Sequence, residues 1–512
     1  MTDIRTVAVC GAGGTMGAGI ATVAARAGCR TICFDQSAES LDRARAGIDK
    51  FFAASVAKGR MTAGDHRAAM DRLSESTDLA DLAEADIVIE AIFENLEIKR
   101  QLFKRLNDVC KPETIFASNT STLSITQIAS GCGREDRFVG MHFCLPAPLI
   151  KLTEMSPGLN TSQDSFRIAW DWCVGAGQLP VETQDKPGFI LNALLVPFNN
   201  DVLRAIEAGL ATPEDIDTAV RTALGYKMGP CTLIDLVGLD TQERLGEAFY
   251  PITLDRRASV PPLVRRMVAA GRLGNKSNAG LLTGAMREKA TAAPGFSVLG
   301  TASRSFPEGD KFLDDAEADQ DVLLCLGGGY RADPSKTAIL VELGIECLGV
   351  HTGESAGSEG SNVLGFARYR NGSDAASNLI EIVRQPKTDP GAIEAARAVF
   401  EVRGFETVVC ADQPGRIVDR LVRPKYNDAL RFLDEGLAAA EDIDKTCRLG
   451  LGYPDGPIER VVRGGLLHHY EISKALYEAT GLPGYAPARR ALVAAQHGAR
   501  VASTALRSAL AV

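Results

Sequence analysis

The chain repeats itself: shifted by 227 residues, positions 187–230 align without a gap on 414–457, and about half of the aligned positions are identical. The shared frame runs P-G-x-I, P-x-x-N-D-x-L-R, G-L-A-x-x-E-D-I-D and G-Y-x-x-G-P. Its Gly and Pro punctuation separates stretches of helical length. Glu214-Asp215-Ile216-Asp217 and Glu441-Asp442-Ile443-Asp444 read as acidic first turns, where carboxylates meet the positive end of a helix dipole. Two helical domains are therefore expected. At 512 residues the chain also exceeds what a single hydrophobic core supports.

What precedes each copy differs. Before the first, apolar runs at 7–10, 31–34, 87–90 and 115–117 alternate with helix-length segments, a βαβ pattern. Before the second, runs at 321–326, 337–341 and 347–350 suggest a shorter α/β unit. Residues 290–310, rich in small and turn-forming types, read as a linker. The expected fold class is α/β plus all-α. An α/β domain over 1–186 and a helical domain over 187–290 are followed by a degenerate second copy, with a linker and reduced α/β unit over 291–410 and a helical domain over 411–512.

A net charge of -9 argues against a nucleic-acid partner, which needs a concentrated basic face. The twelve cysteines are scattered without a CxxC pair, so free thiols and a reducing, cytoplasmic setting are expected, and no metal site. No signal segment is visible at the N-terminus, and the apolar stretch at 190–198 is too short to cross a bilayer, so a soluble chain without a membrane partner is expected.

The run 7–10 leads into Gly11-Ala12-Gly13-Gly14-Thr15-Met16-Gly17 and then into a helix. Glycine there lets the backbone approach a pyrophosphate, whose charge is met by the helix N-terminus. Counted from Gly11, the loop is one residue longer than GxGxxG. Asp35 closes the next strand, where a carboxylate can accept from an adenosine ribose and repels a 2′-phosphate, so NAD is expected over NADP in a Rossmann domain.

Of six histidines, only His142 follows a strand-like stretch, 138–141, on the C-terminal side of this domain. Imidazole suits proton transfer near neutral pH, and chemistry in open α/β sheets collects at strand carboxyl ends. Glu154 lies twelve residues later, beyond Pro146-Ala147-Pro148. Two antiparallel segments around that turn would join carboxylate and imidazole, giving a base an orienting partner.

These residues belong to a pattern that resembles the 3-hydroxyacyl-CoA dehydrogenase family. Glu90-Ala91-Ile92-Phe93-Glu94-Asn95-Leu96-Glu97-Ile98-Lys99 is similar to its E-A-x-x-E-N-L-x-x-K segment, and Ser118-Asn119-Thr120-Ser121 to its S-N-T-S. His142-Phe143-Cys144-Leu145-Pro146-Ala147-Pro148 with Lys151-Leu152-Thr153-Glu154 resembles H-F-F-N-P-x-P and K-L-V-E, and 187–192 resembles P-G-F-I-x-N. The resemblance implies NAD-dependent oxidation of an (S)-3-hydroxyacyl-CoA to the 3-oxoacyl-CoA, in fatty-acid or aromatic-acid catabolism. It implies His142 as general base with Glu154 as its partner, and Ser121 and Asn192 as hydrogen-bonding groups around the substrate oxygens. Glu94, Lys99 and Lys276 match positions that contact NAD, and Lys58 one that reaches the coenzyme A phosphates. As a solvated helix lysine among Arg43, Arg45, Lys50 and Arg60, Lys58 has an equally simple explanation.

Leu145 stands where the family has Asn, and Lys276 sits in an altered segment, Gly274-Asn275-Lys276-Ser277-Asn278-Ala279-Gly280, so cofactor affinity is the property most exposed to change. In the second half Asn192 becomes Asp419 and Lys186 becomes Gln413, and 379–382 resembles the segment around Glu154 with no histidine before it. Gly327-Gly328-Gly329 does not continue into a GxGxxG frame. That half reads as a non-catalytic copy. The two helical domains are expected to pair as an intramolecular pseudo-dimer, in a chain that is a monomer or a homodimer. The competing readings are a non-catalytic protein binding NAD or acyl-CoA, and a dehydrogenase of another β-hydroxy acid, for which a lysine base is expected.

Overall fold

The computed structural model describes residues 4–284, 287–292, 294–353 and 360–498. The end of the second helical segment expected at 512 lies outside them. The chain forms two compact units, one of residues up to Ala193 together with Glu435–Gly452, the other of Leu194–Asp434 and the residues from Tyr453.

The first unit is built on an eight-stranded sheet: β1 (Thr6–Cys10), β2 (Arg30–Phe34), β3 (Leu73–Ser76), β4 (Ile87–Glu90), β5 (Ile115–Ser118), β6 (Phe138–Phe143), β7 (Leu152–Pro157) and β8 (Leu179–Glu182), in the order β3-β2-β1-β4-β5-β6-β7-β8. β1, β4 and β5 are short apolar runs buried almost throughout, as expected of parallel strands covered on both faces. Only β6 and β7 pair antiparallel. Pro146-Ala147-Pro148 turns the chain between them. Apolar side chains of helix Thr15–Arg26 bury against one face of the sheet, and Phe103 of helix Leu96–Val109 meets Phe116 and Phe138 on the other. Helix Ala440–Leu451, from the second copy of the repeat, packs on β7 and β8.

The second unit carries a six-stranded sheet: β9 (Phe296–Leu299), β10 (Val322–Cys325), β11 (Ala338–Glu342), β12 (Val363–Arg368), β13 (Leu379–Arg384) and β14 (Glu406–Ala411), in the order β14-β13-β12-β11-β10-β9. Its one antiparallel pair is β12 with β13. The sheet matches β1 and β4–β8 of the first unit, and no counterparts of β2 and β3 occur among the described residues. Two sequence expectations are corrected here. Residues 290–310 are not linker throughout, because buried Phe296 and its neighbours pair in parallel with β10. Residues 347–350 form no strand: Asp412 accepts hydrogen bonds from the amides of Leu348 (2.7 Å) and Gly349 (2.8 Å) and starts the short helix Gly349–Thr352.

Helix Pro213–Leu224 packs on β13 and β14 of the second unit. It starts as expected, with Thr212 capping the amide of Asp215 at 3.1 Å and Glu214 and Asp215 in its first turn, and ends at Gly225 with φ of 71°. Its counterpart Ala440–Leu451 has Glu441 and Asp442 in its first turn and ends at Gly452 with φ of 68°. The packing is reciprocal in detail. Ala411 N donates to Leu210 O (2.7 Å) in the second unit, and 227 positions away in each strand of the repeat Gln184 N donates to Leu437 O (2.8 Å) in the first. All twelve cysteines are free, and no helix among the described residues is long and apolar enough to cross a membrane.

Candidate functional site

The glycine turn leaves the end of β1 with Gly11 at φ of 84°. Gly14 N donates to Gly11 O at 3.0 Å, and the additional residue of the loop is taken up in this turn before helix Thr15–Arg26 begins. Gly17 packs onto the turn so closely that a Cβ would lie 2.1 Å from Gly11 O. The helix has no side-chain cap and no acidic residue in its first turn, whereas helix Ala38–Ala57 has both, in Ser37 and Glu39. Its N-terminal amides are thus not met by a cap side chain of the chain itself, as an anion-binding helix end requires. Gly14 and Thr15 are exposed, with Gly13 and Met16 half-buried beside them. Asp35, just beyond β2, accepts from Gly13 N (3.1 Å) and Ser37 N (3.2 Å), which fixes its carboxylate at the turn. These residues fit a dinucleotide, with an exposed, uncapped helix end for the pyrophosphate and a carboxylate beside it.

β6 and β7 pair with His142 directly opposite Glu154, and the side chains meet: Nδ1 lies 2.8 Å from Oε2. Glu154 is fully buried, His142 nearly so. Oε1 of Glu154 accepts from the amides of Ile190 (2.9 Å) and Leu191 (2.8 Å), where helix Leu191–Glu207 begins, so the carboxylate is held from three sides. With Nδ1–H donating to the carboxylate, Nε2 keeps the lone pair that can accept a proton. Burial, and then the charge of Glu154, push the neighbouring Cys144 thiol far up, so it stays protonated. Asn192 follows directly after the anchor formed by Ile190 and Leu191.

Glu94 organises the S-N-T-S loop. Its Oε1 accepts from Thr120 Oγ1 (2.6 Å), Ser121 N (2.9 Å), Thr122 N (3.0 Å) and Thr122 Oγ1 (2.9 Å). Burial pushes this carboxyl up, but the Lys99 ammonium and these donors outweigh it, and Glu94 lies below the ordinary carboxylate value. Lys99 is 1% exposed; its ammonium is shared between Glu90 (2.5 Å) and Glu94 (3.2 Å). It thus stands behind Glu94, not at the surface. Sequence reasoning missed Glu90, which also accepts from Ser118 Oγ (2.6 Å), and Asn119, which receives the amide of Phe143 (2.8 Å) next to His142. Glu90 and Asn119 lie in the quoted motifs, yet only their partners, 28 and 24 residues away respectively, disclose what they do.

Lys58 caps helix Ala38–Ala57 and is exposed. Ser55 and Arg60, on either side of it, line a cavity of about 660 Å³ that also takes in Arg26, Arg72 and Lys151, with Phe51 and Phe52 as apolar lining. Leu145 is 55% exposed next to the His142 strand. Lys276 lies in the second unit, ion-paired with Asp240. Among the described residues no cluster of His, Cys, Asp and Glu could hold a metal.

The second unit preserves the anchor without the base. Glu381 accepts from Ile417 N (2.9 Å) and Val418 N (3.0 Å), as Glu154 does from Ile190 and Leu191. Opposite it stands Ala367, and Arg416 Nε takes the other oxygen at 3.3 Å. Asp419, at the place of Asn192, is bound to the buried Arg423 at 2.8 Å.

Comparison with known proteins points the same way. The model of a 3-hydroxyacyl-CoA dehydrogenase NAD binding domain matches residues 6–186, and that of a 3-hydroxyacyl-CoA dehydrogenase C-terminal domain matches 188–284 and again 415–504. The 3-hydroxyadipyl-CoA dehydrogenase of Escherichia coli K12 is 34% identical over 481 residues, 92% of this chain and 95% of that one. The human mitochondrial hydroxyacyl-coenzyme A dehydrogenase is 41% identical over 285 residues, 54% of this chain and 90% of that one. A crystal structure of 3-hydroxybutyryl-CoA dehydrogenase from Escherichia coli K12 superposes with a TM-score of 0.78 at 32% identity, covering 97% of this chain and all of that one.

Proposed function

This chain belongs to the 3-hydroxyacyl-CoA dehydrogenase family, an oxidoreductase family with an NAD-binding domain, and from that premise we propose that it oxidises an (S)-3-hydroxyacyl-CoA to the 3-oxoacyl-CoA. The observation that carries the reading is the 2.8 Å contact between His142 Nδ1 and a fully buried Glu154 that is itself anchored on two amides. Such a base is oriented before substrate arrives, which lowers the cost of reaching a reactive geometry. Bound NAD supplies the hydride acceptor. His142 Nε2 removes the proton of the 3-hydroxyl, and Glu154 stabilises the imidazolium that results. Ser121 and Asn192 hold the substrate oxygen as it becomes a carbonyl. Glu94, backed by Lys99, keeps the Ser121 loop in place. The glycine turn and Asp35 receive the dinucleotide.

The cavity between Arg26, Arg60, Arg72 and Lys151 suits the phosphate-bearing, ring-bearing end of coenzyme A, with Lys58 at its rim in sequence. Likeness over 92% of the chain to a 3-hydroxyadipyl-CoA dehydrogenase, and over 97% to a solved 3-hydroxybutyryl-CoA dehydrogenase, supports a short 3-hydroxyacyl-CoA as substrate, and the setting we propose is fatty-acid or aromatic-acid breakdown. We infer too that the second helical domain gives the first its pairing partner within one chain, as an intramolecular pseudo-dimer; stacked Tyr226 and Tyr453, counterparts in the repeat, support this.

The test is NADH absorbance with 3-hydroxybutyryl-CoA and 3-hydroxyadipyl-CoA, for the wild type and His142→Gln. A general base is worth about 10²- to 10⁴-fold, so the variant is expected to lose at least about a hundredfold in kcat. A variant as active as the wild type removes His142 from this role.

A further inference from the structure

The segment Glu435–Gly452 belongs by sequence to the non-catalytic copy, yet it folds into the unit that holds His142 and Glu154. It is tied there at several points. Gln184 N donates to Leu437 O (2.8 Å), Lys445 Nζ donates to Pro180 O (2.9 Å) in β8, and Asp442 accepts from the amide of Glu182. At the end of helix Ala440–Leu451, Gly450 faces two leucines. A Cβ there would lie 3.0 Å from Leu152 Cδ2 and 3.3 Å from Leu191 Cδ1.

Both leucines flank the catalytic carboxylate. Leu152 opens β7 two residues before Glu154, so the two side chains leave the same face of the strand. Leu191 donates its amide to Glu154 Oε1, and Asn192 is the next residue. The counterpart of Gly450 in the mirror helix Pro213–Leu224 is Ala223, and that helix covers β13 and β14, where no base stands opposite Glu381. The helix over the working pair thus lacks the methyl group that its mirror carries.

We propose that helix Ala440–Leu451 is a positioning element of the His142–Glu154 site, with Gly450 setting the depth at which the helix seats on Leu152 and Leu191. The non-catalytic copy is thereby part of the catalytic apparatus, acting through Glu154 and not on substrate. This rests on the reaction proposed above. A side chain at 450 pushes on both leucines at once, spreading Glu154 from His142 and displacing Asn192; displacements near 1 Å cost about a hundredfold in rate.

The experiment compares Gly450→Ala, Gly450→Val and Lys445→Met with Ala223→Val, the same kind of enlargement at the mirror position. Melting temperature, kcat, KM for NAD and the deuterium isotope effect from a 3-deuterated 3-hydroxyacyl-CoA are measured for each. Gly450→Val is expected to lower kcat at least about tenfold, with KM for NAD within about twofold of wild type and a more fully expressed isotope effect, because the hydride step becomes limiting. Gly450→Ala and Lys445→Met fall between, and Ala223→Val keeps the wild-type kcat. Should Gly450→Val fail to fold, Gly450→Ala and Lys445→Met decide by the same readouts. Wild-type kcat in the position-450 and Lys445 variants, or losses matched by Ala223→Val, overturn the inference alone. A wild type that reduces no NAD with any 3-hydroxyacyl-CoA overturns the proposed reaction, and the inference with it.

Discussion

Tyr226 lies flat on Tyr453, its own counterpart in the repeat, with ring centroids 3.6 Å apart and planes 9° from parallel. A residue that meets its own counterpart is what the proposed pairing of the two helical domains would place on an approximate twofold axis. Asp201 and Asp428, also counterparts, are bridged by one guanidinium, that of Arg257, at 2.8 and 2.6 Å. The counterpart of Arg257 is Gly484, which passes close enough that a Cβ would lie 3.1 Å from Arg257 Cδ. One arginine fills a place where symmetry would put two.

Replacing Arg257 by Met should therefore cost about 3–5 kcal/mol, the range for stripping a buried ion pair of one partner. Burial raises the carboxyl of Asp201 above its ordinary value, with Arg257 the strongest opposing influence. Without it the carboxyl rises further, so protonation favours the folded variant and its deficit grows as pH climbs. Urea midpoints at pH 5 and pH 7.5 test this: a deficit independent of pH would remove the carboxylates from the explanation.

Asp35 should set cofactor choice. Its carboxylate is fixed by Gly13 and Ser37 where a 2′-phosphate would meet it. Asp35→Ala is expected to raise KM for NAD at least about tenfold, the loss of one or two hydrogen bonds to a charged group, while KM for NADP falls. Initial rates with both cofactors decide; an unchanged NAD to NADP ratio would place the ribose elsewhere.

Leu145 offers a gain of function. It is largely exposed beside the strand that carries His142, at the position where the family pattern that this segment resembles has Asn. Leu145→Asn restores a polar group at little packing cost and is expected to lower KM for NAD by about two- to tenfold, one net hydrogen bond. Isothermal titration with NAD, independent of turnover, is the direct check.

Acid should loosen the Ser121 loop. Burial pushes the Glu94 carboxyl up, but Lys99 and the donors of Thr120, Ser121 and Thr122 bring it below the ordinary 4.5. A depressed acid contributes stability that is whole above 4.5 and is lost as pH falls through its folded value. Unfolding free energy should fall between about pH 5 and pH 3, and Glu94→Gln should flatten that slope. Equal slopes in both proteins would assign the acid sensitivity to other groups.

The features legible in sequence were those with local spacing. Twelve residues across Pro146-Ala147-Pro148 suffice to set His142 against Glu154, because an antiparallel turn determines the register. The glycine turn and the acidic first turns at 214 and 441 are likewise local. What escaped was decided at a distance. The short run Phe296-Ser297-Val298-Leu299, bounded by Gly295 and Gly300, reads as linker until β10 pairs with it. The apolar run at 347–350 reads as strand until Asp412 caps it. Lys99 reads, by resemblance, as a contact to NAD until Glu90 and Glu94 are seen to enclose it. Nothing in the repeat announces that Glu435–Gly452 joins the opposite sheet, since both helices carry the same motif and partner choice is a property of the assembled fold.

The six-stranded sheet has a further consequence. Among the described residues it has no counterparts of β2 and β3, and so none of Asp35, and the expectation is a single place for the dinucleotide in each polypeptide. Titration should end at one equivalent of NAD per chain, with a Hill slope of one for each chain taken alone. A pair of intact halves could trade saturation at one for affinity at the other, an exchange that a single seat per chain does not allow.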